Sequence, residues 1–179
     1  MPYLEENYDI VLVDHNDKKL KMAIDKLDIV CVEGDGANAE VQKEAGVSQA
    51  DVVKISDEEV EFLFGCAPAE GARHILERFG VKLVFVTCGA DGCFFKNAVA
   101  SGKVPSLKGI KVIDTTGAGD IFGGSAVWKL LQTGKAPEAL TEDELRDVVT
   151  FACTSAGLST TRSGGISSVP DYNEVLARM

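Results

Sequence analysis

The sequence is poor in the residues that build metal centres and disulfide frameworks. Among its 179 residues there are two histidines, His15 and His74, and five cysteines, none of which forms a Cys-x-x-Cys pair. Because zinc sites draw on clustered cysteine and histidine ligands, this usage does not indicate a zinc site. Scattered thiols are instead typical of a reducing compartment, so we expect a cytoplasmic protein.

Basic residues and long apolar runs are also scarce. There are 18 Lys and Arg against 28 Asp and Glu, which gives a net charge of −10. An acidic surface repels nucleic acid and anionic lipid, so we expect neither nucleic acid nor membrane as a partner. No apolar run in the sequence approaches the roughly 18 residues that span a bilayer, and the first residues do not resemble a signal peptide. The sequence leaves a homodimer open.

Short apolar runs alternate with helical patterns at the start of the chain. Strands are predicted at residues 9–14, 28–33 and 51–55, with helices after Asn16 and over 37–45 between them. Strand and helix in alternation predict βαβ units around a parallel sheet. We therefore expect an α/β fold, a single three-layer domain over residues 1–179 with a mainly parallel sheet.

The most informative stretch is residues 114–120, Asp-Thr-Thr-Gly-Ala-Gly-Asp. It follows an apolar run at 110–113, which we interpret as a strand, and it opens a helical pattern. Glycines at the start of a helix expose backbone amides at its positive end, where phosphate binds well. A carboxylate beside such a pocket suits proton transfer, so Asp120 is the candidate base of a phosphoryl transfer. The structural alternative is a helix start with a favourable acid in its first turn.

Together with the Ile-Phe-Gly-Gly that follows, this stretch resembles the C-terminal signature of the PfkB, or ribokinase-like, sugar kinases. The resemblance runs from about Val52 to the C-terminus. It implies that Asp120 is the catalytic base and that backbone amides form the anion hole for the transferred phosphoryl group. The anion hole would consist of Gly117, Ala118 and Gly119.

The same resemblance assigns residues to nucleotide and metal binding. Glu59 matches a glutamate that acts through water on magnesium, although Ser56 replaces the family's asparagine and the pair is also a helix capping box. The nucleotide-binding residues would be Ser56, Thr87, Gly89, Gly92 and Cys153. A monovalent cation such as K⁺ would be held by Asp114, Thr116, Ser159, Arg162, Gly164 and Ser168. An ordinary helix end and surface loop is the structural alternative for the last four.

Residues 8–53 are similar instead to the middle of the nucleotide-binding domain of Trk-type potassium uptake systems. The matching stretches are 11–14, 32–37 and 44–46. This similarity implies a Rossmann-like segment over residues 1–51 in which Asp14 binds a ribose, although the glycine-rich turn of that family does not occur in this chain. A polar strand end is the structural alternative for Asp14. A second alignment makes residues 13–16 the Asp-x-Asn strand end of the sugar kinases.

We therefore expect the ATP-binding part of a PfkB-type sugar kinase that uses ATP and Mg²⁺. It would lack the sugar pocket and lid, so a sugar partner is doubtful and activity is expected to be weak or absent. The alternatives are a non-enzymatic nucleotide-binding regulatory module of Trk type, and an inactive chimera joined near residues 50–53.

Overall fold

The computed structural model describes residues 11–14, 17–25, 30–35 and 38–179. The chain divides into two compact units, one ending at Ala50 and one beginning at Asp51. Both units alternate strands with helices, so the predicted α/β class is confirmed. That residues 1–179 behave as a single domain stays a prediction. The helix cap predicted at Asn16 lies outside the described residues.

The first unit contains a βαβ arrangement. Strands β1 and β2 pair in parallel, with Val11 opposite Val30 and Asp14 opposite Glu33. Leu20 and Val32 are its buried apolar residues among those described. Its elements are β1 (Val11–Asp14), α1 (Asp17–Ile24), β2 (Val30–Glu33) and α2 (Ala39–Glu44).

The second unit carries a four-stranded sheet with the order β3-β4-β5-β6. Its elements are β3 (Val52–Ser56), α3 (Asp57–Phe64), α4 (Pro68–Phe79), β4 (Leu83–Thr87), β5 (Cys93–Asn97), β6 (Ser101–Val104), α5 (Ala118–Thr133), α6 (Glu142–Ser159) and α7 (Tyr172–Leu176). Strands β3 and β4 are parallel, whereas β4, β5 and β6 run antiparallel as a meander. The sheet of this unit is therefore mixed rather than mainly parallel, because β5 and β6 are joined by short turns that cannot make a parallel crossover.

Helices cover both faces of this sheet and give the unit three layers. Successive side chains of a strand point to opposite faces, and β4 is buried on both. Leu83 and Phe85 pack with α5 and α6, while Val84 and Val86 pack with α3 and α4. The continuous apolar run of β4 follows from this two-sided burial.

The run at residues 110–113 was wrongly predicted as a strand. It is an irregular segment in the structure. The amides of Ile113 and Asp114 both donate to the carbonyl oxygen of Thr160, at 2.7 and 3.1 Å. The end of α6 therefore takes up the hydrogen bonds that a neighbouring strand would have provided, and Val112 and Ile113 remain exposed.

An aromatic cluster joins α5, α6 and α7. Trp128 stacks on Phe151 with ring centroids 5.3 Å apart and meets Tyr172 edge-on at 5.5 Å. Lys129 lies 5.7 Å from the centre of the Phe151 ring.

All five cysteines are free thiols. Within the described ranges, none of the helices has the length and apolar character needed to cross a bilayer, and the cytoplasmic location stays a prediction.

Candidate active site

The glycine turn predicted from the sequence forms an open helix end. Gly117 precedes α5 with φ at +77°, a left-handed conformation that favours glycine, and no side chain caps the helix there. The amide of Ala118 donates to the carbonyl of Thr115 at 3.2 Å. The amides of Gly119 and Asp120 find no acceptor in the part of the chain that the structure describes. Two N–H groups at the positive end of the helix are therefore available to an anion.

A cleft of about 460 Å³ leads to this helix end. It is bounded by the turn after β4, by the segment after β6, and by the facing sides of α5 and α6. Its lining consists of Thr87, Gly89, Ala90, Gly92, Ser106, Leu107, Lys108, Gly109, Ile110, Val112, Thr115, Ala118, Gly119, Phe122, Cys153, Ala156, Gly157 and Thr160. Because Thr115, Ala118 and Gly119 belong to the glycine turn, the cleft and the anion site are continuous.

Four of the residues predicted to bind nucleotide meet in this cleft: Thr87, Gly89, Gly92 and Cys153. Gly92 has φ at +92°, and a β-carbon there would lie 2.0 Å from the carbonyl oxygen of Val104. Only glycine fits such a close approach of two backbones. Gly92 therefore allows the turn after β4 to pack directly against the end of β6 at Val104, where the opposite wall of the cleft begins.

Cys153 projects from α6 into the cleft but is nearly buried. Burial, followed by the nearby Cys88, raises the pKa of its thiol to about 12. The side chain is therefore a neutral thiol at physiological pH, and it behaves as a small apolar group. The side chain lines the cleft, and its role in nucleotide binding stays a prediction.

Asp114 ties the segment before α5 to the loop after α6. Its Oδ1 accepts from the amide of Thr116 at 2.9 Å, and its Oδ2 accepts from the amide of Gly164 at 3.1 Å. A hydrogen bond with the side chain of Thr116, followed by the bonds from the amides of Gly164 and Thr116, lowers the pKa of Asp114 to about 2. The structure thus brings together three of the six residues predicted to hold a monovalent cation.

The other three predicted cation ligands have internal partners. The hydroxyl of Ser159 donates to the carbonyl of Ala156, and that of Ser168 to the carbonyl of Gly165, both at 2.7 Å. The guanidinium of Arg162 pairs with Glu174. A cation in this loop would therefore rely on backbone carbonyls and on the Asp114 carboxylate, and their role stays a prediction.

Ser56 and Glu59 form the predicted capping box at the start of α3. Oε2 of Glu59 accepts from the amide of Ser56 at 2.8 Å and from its hydroxyl at 2.9 Å. The backbone and side chain of Ser56, with a smaller contribution from Lys54, lower the pKa of Glu59. Both bonds use Oε2, so Oε1 remains for a metal or a metal-bound water.

The donor chemistry around Glu59 suits magnesium but not a cage made by protein alone. Among the described residues there is no group of three or more His, Cys, Asp or Glu side chains that could hold a metal ion. Magnesium usually keeps several waters and is bound through one or two carboxylates together with the phosphates of a substrate. A single ionised glutamate fits that requirement.

Sequence reasoning missed two parts of the site. One is the wall formed by residues 106–112, which carries no motif but closes the cleft through bonds from Ser106 and Lys108 to the carbonyl of Ala90. The other is Lys54 on β3, whose Nζ would lie 3.2 Å from a β-carbon built on Gly119. Both depend on contacts between distant parts of the chain, so periodicity and spacing could not reveal them.

Comparison with known proteins identifies one family over nearly the whole chain. A family model described as "pfkB family carbohydrate kinase" matches residues 15–172. The match crosses the join predicted near residues 50–53, so the expectation that the resemblance begins near Val52 was wrong. The Trk-type similarity, the regulatory module built on it and the chimera are not supported. The ribose role of Asp14, whose backbone alone is described, loses its basis.

Known relatives and solved structures agree with this match. Fructokinase-1 of Zea mays is 38% identical over 130 residues, which are 72% of this chain and 39% of that protein. The fructokinase of Xylella fastidiosa with bound ATP has a TM-score of 0.66 at 26% identity, over 89% of this chain and 54% of that one. A double mutant of the fructokinase of Vibrio cholerae O395, bound to fructose, ADP and potassium ion, reaches 0.69 at 26% identity over 99% and 62%.

The chain spans about two fifths of the length of the curated relatives it matches. Its structural neighbours include sugar kinases with nucleotide bound, and two structures of the Vibrio cholerae O395 fructokinase contain fructose as well. The expectation that a sugar partner is doubtful therefore finds no support in these comparisons, and neither does the expected lack of activity. The neighbours also confirm the ribokinase-like fold, since the ribokinase of Thermotoga maritima aligns with a TM-score of 0.62.

Proposed function

The chain belongs to the pfkB family of carbohydrate kinases, and on that premise we propose that it carries the nucleotide-binding side of an ATP-dependent sugar kinase. The reaction is transfer of the terminal phosphoryl group of ATP to a sugar hydroxyl. The observation that carries the proposal is the continuity of the cleft with the open start of α5. A nucleoside fits the apolar cleft, and its phosphates extend to the free amides of Gly119 and Asp120.

The glycine turn stabilises the charge that develops on the transferred group. Backbone amides fixed at a helix start need no reorganisation when that charge appears. Asp120 is exposed in the first turn of α5, directly after Gly119. There it can accept the proton of the attacking hydroxyl, and such general-base assistance accelerates a reaction by about 10² to 10⁴.

Magnesium, when bound with the nucleotide, neutralises phosphate charge. Glu59 would hold it through the free Oε1, either directly or by way of a water, while Ser56 fixes Oε2. The loop at Asp114 and Gly164 would hold a monovalent cation such as K⁺ behind the turn. Its contribution would be to fix the backbone of Thr116 and Gly117 in the orientation that presents the amides.

Fructose is the proposed acceptor because the curated relatives are fructokinases. A coupled assay of the 179-residue chain with ATP-Mg over fructose, ribose and a nucleoside tests this. We expect saturable phosphorylation of fructose, and a loss of about 10²-fold or more in kcat for Asp120→Asn at unchanged ATP affinity. Calorimetry that detects no ATP binding to the wild-type chain would overturn the donor site, and turnover of ribose alone would overturn the choice of acceptor.

A further inference from the structure

The wall of the cleft at residues 106–112 has no regular secondary structure, so its position depends on its contacts. The hydroxyl of Ser106 and the ammonium group of Lys108 both donate to the carbonyl oxygen of Ala90, which ties the wall to the turn after β4. Between these two residues, Leu107 packs with the buried apolar cluster shared by α6 and α7. The wall is therefore attached on two sides, to the sheet and to the helices.

Leu107 reaches α6 at Gly157. A β-carbon on Gly157 would lie 2.7 Å from Cβ of Leu107 and 3.3 Å from its Cδ2. The first distance is shorter than real β-carbons allow, so the neighbour would have to shift. Because Cβ of Leu107 is bonded directly to the backbone, rotation of the leucine side chain cannot relieve this contact. A side chain at residue 157 would therefore push the wall away from α6.

The conformation of α6 itself does not require a glycine at this position. Gly157 lies in the last turn of α6, and it is not among the glycines with a positive φ. Glycine also lowers the stability of a helix relative to alanine. The close approach of Leu107 is the feature of the structure that accounts for the glycine.

The contact between Leu107 and Gly157 belongs to one part of the cleft. Both residues are in its lining, and so is Cys153, one turn before Gly157 on α6. This apolar part is where the proposed function places the nucleoside. The amides proposed for phosphate belong instead to Gly119 and Asp120 at the start of α5. A movement of the wall relative to α6 therefore changes the nucleoside part of the cleft and leaves the anion part in place.

We propose that Gly157 is a positioning residue that sets the separation between α6 and the wall, and thereby the width of the part of the cleft that receives the nucleoside. The inference rests on the proposed function and adds what determines the fit of the base. A flat base gains affinity from atoms packed on both of its faces. A gap of about 0.5–1 Å on one face already forfeits a quarter to a half of that contact energy.

Substitution of the glycine by alanine tests the inference on the full chain. Titration calorimetry would compare ATP, AMP and inorganic tripolyphosphate for the wild type and Gly157→Ala. We expect ATP and AMP to bind Gly157→Ala about ten- to a hundredfold more weakly, since overpacking a close contact has effects of that order. Tripolyphosphate, which lacks the nucleoside, should bind both proteins equally. In the coupled assay the KM for ATP should rise with the Kd, whereas kcat at saturating ATP should not change.

Gly124→Ala is the matched control. Gly124 is an exposed glycine of α5 that also lacks a positive φ. In the described part of the chain, nothing lies within 4 Å of a β-carbon built on it. Gly124→Ala should therefore bind all three ligands as the wild type does.

Leu107→Ala tests the same contact from the side of the wall. It removes the packing that anchors the wall on α6, so it should also weaken the binding of ATP and AMP but not of tripolyphosphate. If urea unfolding shows that Gly157→Ala does not fold, this variant decides, and unchanged ATP affinity in it overturns the inference.

The remaining outcomes separate the inference from the proposed function. Wild-type affinity of Gly157→Ala for ATP overturns the positioning role and leaves the nucleotide site intact. An equal loss for tripolyphosphate also overturns it, because a general folding defect would affect every ligand alike. If the wild type binds neither ATP nor AMP, the proposed function itself fails and the role of Gly157 fails with it.

Discussion

Helices α5 and α6 pack side by side on one face of the same sheet, yet they begin in opposite ways. At the start of α6, Glu144 accepts from the amide of Thr141 at 3.0 Å, and the hydroxyl of Thr141 accepts from the amide of Glu144 at 3.4 Å. At the start of α5, Gly117 provides no side chain, and among the described residues the amides of Gly119 and Asp120 find no acceptor. Every helix start leaves four amides without an intrahelical acceptor. In α6 the hydroxyl of Thr141 accepts from one of them, that of Glu144, whereas α5 has no side-chain cap and presents its open amides to a ligand.

The difference separates stability from function along two neighbouring elements. A side-chain cap contributes about 1 kcal/mol to stability and occupies the place where an anion would bind. An open end lacks that contribution, and its dipole remains available to a ligand. We therefore expect substitutions at the start of α5 to change binding, and substitutions at the start of α6 to change stability.

Placing a carboxylate at the open end should produce the largest effect. In Gly117→Asp the new side chain lies beside the free amides and repels phosphate. Like-charge juxtaposition costs several kcal/mol, so we expect ATP affinity to fall on the order of a hundredfold or more. Titration calorimetry with ATP-Mg measures the change.

Backbone strain at residue 117 is controlled by a neutral substitution of the same size. Asparagine tolerates a positive φ better than most residues, so Gly117→Asn carries the strain without the charge. It should retain most of the affinity that Gly117→Asp loses. Equal losses in the two variants would show that the conformation of the turn, rather than repulsion, controls binding.

Removing the cap of α6 should have a smaller effect, and it should change stability rather than ATP affinity. Thr141→Ala deletes the hydroxyl that accepts from the Glu144 amide, and we expect the free energy of unfolding to fall by about 1 kcal/mol. ATP affinity should not change, because Thr141 lies at the N-terminal end of α6, whereas the cleft residues Cys153 and Gly157 lie in its C-terminal part. Urea unfolding measures the loss, and Thr141→Ser should restore it. A change in ATP affinity without a change in stability would contradict the comparison.

The acid limb of the stability curve should show the smallest effect. Hydrogen bonds from Thr116 and Gly164 lower the pKa of Asp114 to about 2. A hydrogen bond from Lys135, followed by those from Thr141, lowers the pKa of Glu144 to about 2. A carboxyl whose pKa is lowered in the folded state contributes its full stabilisation above the ordinary pKa near 4. That contribution is lost as the pH falls towards 2. We therefore expect Asp114→Asn and Glu144→Gln each to flatten the stability curve between about pH 4 and pH 2.

The two acids should differ in what else they affect. Asp114 fixes the segment that leads into the glycine turn, so Asp114→Asn should also weaken ATP binding. Glu144→Gln should leave ATP binding unchanged, because its carboxylate serves the capped end of α6. Denaturant titrations at several pH values, with calorimetry at pH 7, distinguish the two. Identical binding for both variants would contradict the assignment of Asp114 to the site.

The local parts of the fold could be predicted from the sequence. The capping box at Ser56 spans four residues and involves no other part of the chain, and it occurs as expected. The glycine turn before α5 was likewise recognised, since Gly117 needs only its own backbone angles.

The parts that depend on distant contacts could not be predicted. The apolar pattern of residues 110–113 is that of a strand. Only the structure shows that the carbonyl of Thr160 accepts the hydrogen bonds of the Ile113 and Asp114 amides. Lys54 and Gly119 meet only through the pairing of β3 with β4 and the packing of α5 on that sheet. The Trk-type interpretation of the first unit relied on short apolar runs with acidic ends, which any parallel α/β fold produces. The family match from residue 15 resolved what the pattern could not.

The aromatic cluster on the outer side of α5 and α6 has a practical consequence. Trp128 is the single tryptophan of the chain, and it stacks on Phe151 and meets Tyr172 edge-on. All emission excited at the red edge of the absorption band therefore comes from one indole whose surroundings are known. Separation of α5, α6 and α7 must change that emission. The protein thus carries its own optical label on the back of the two helices that enclose the cleft, and no dye needs to be attached.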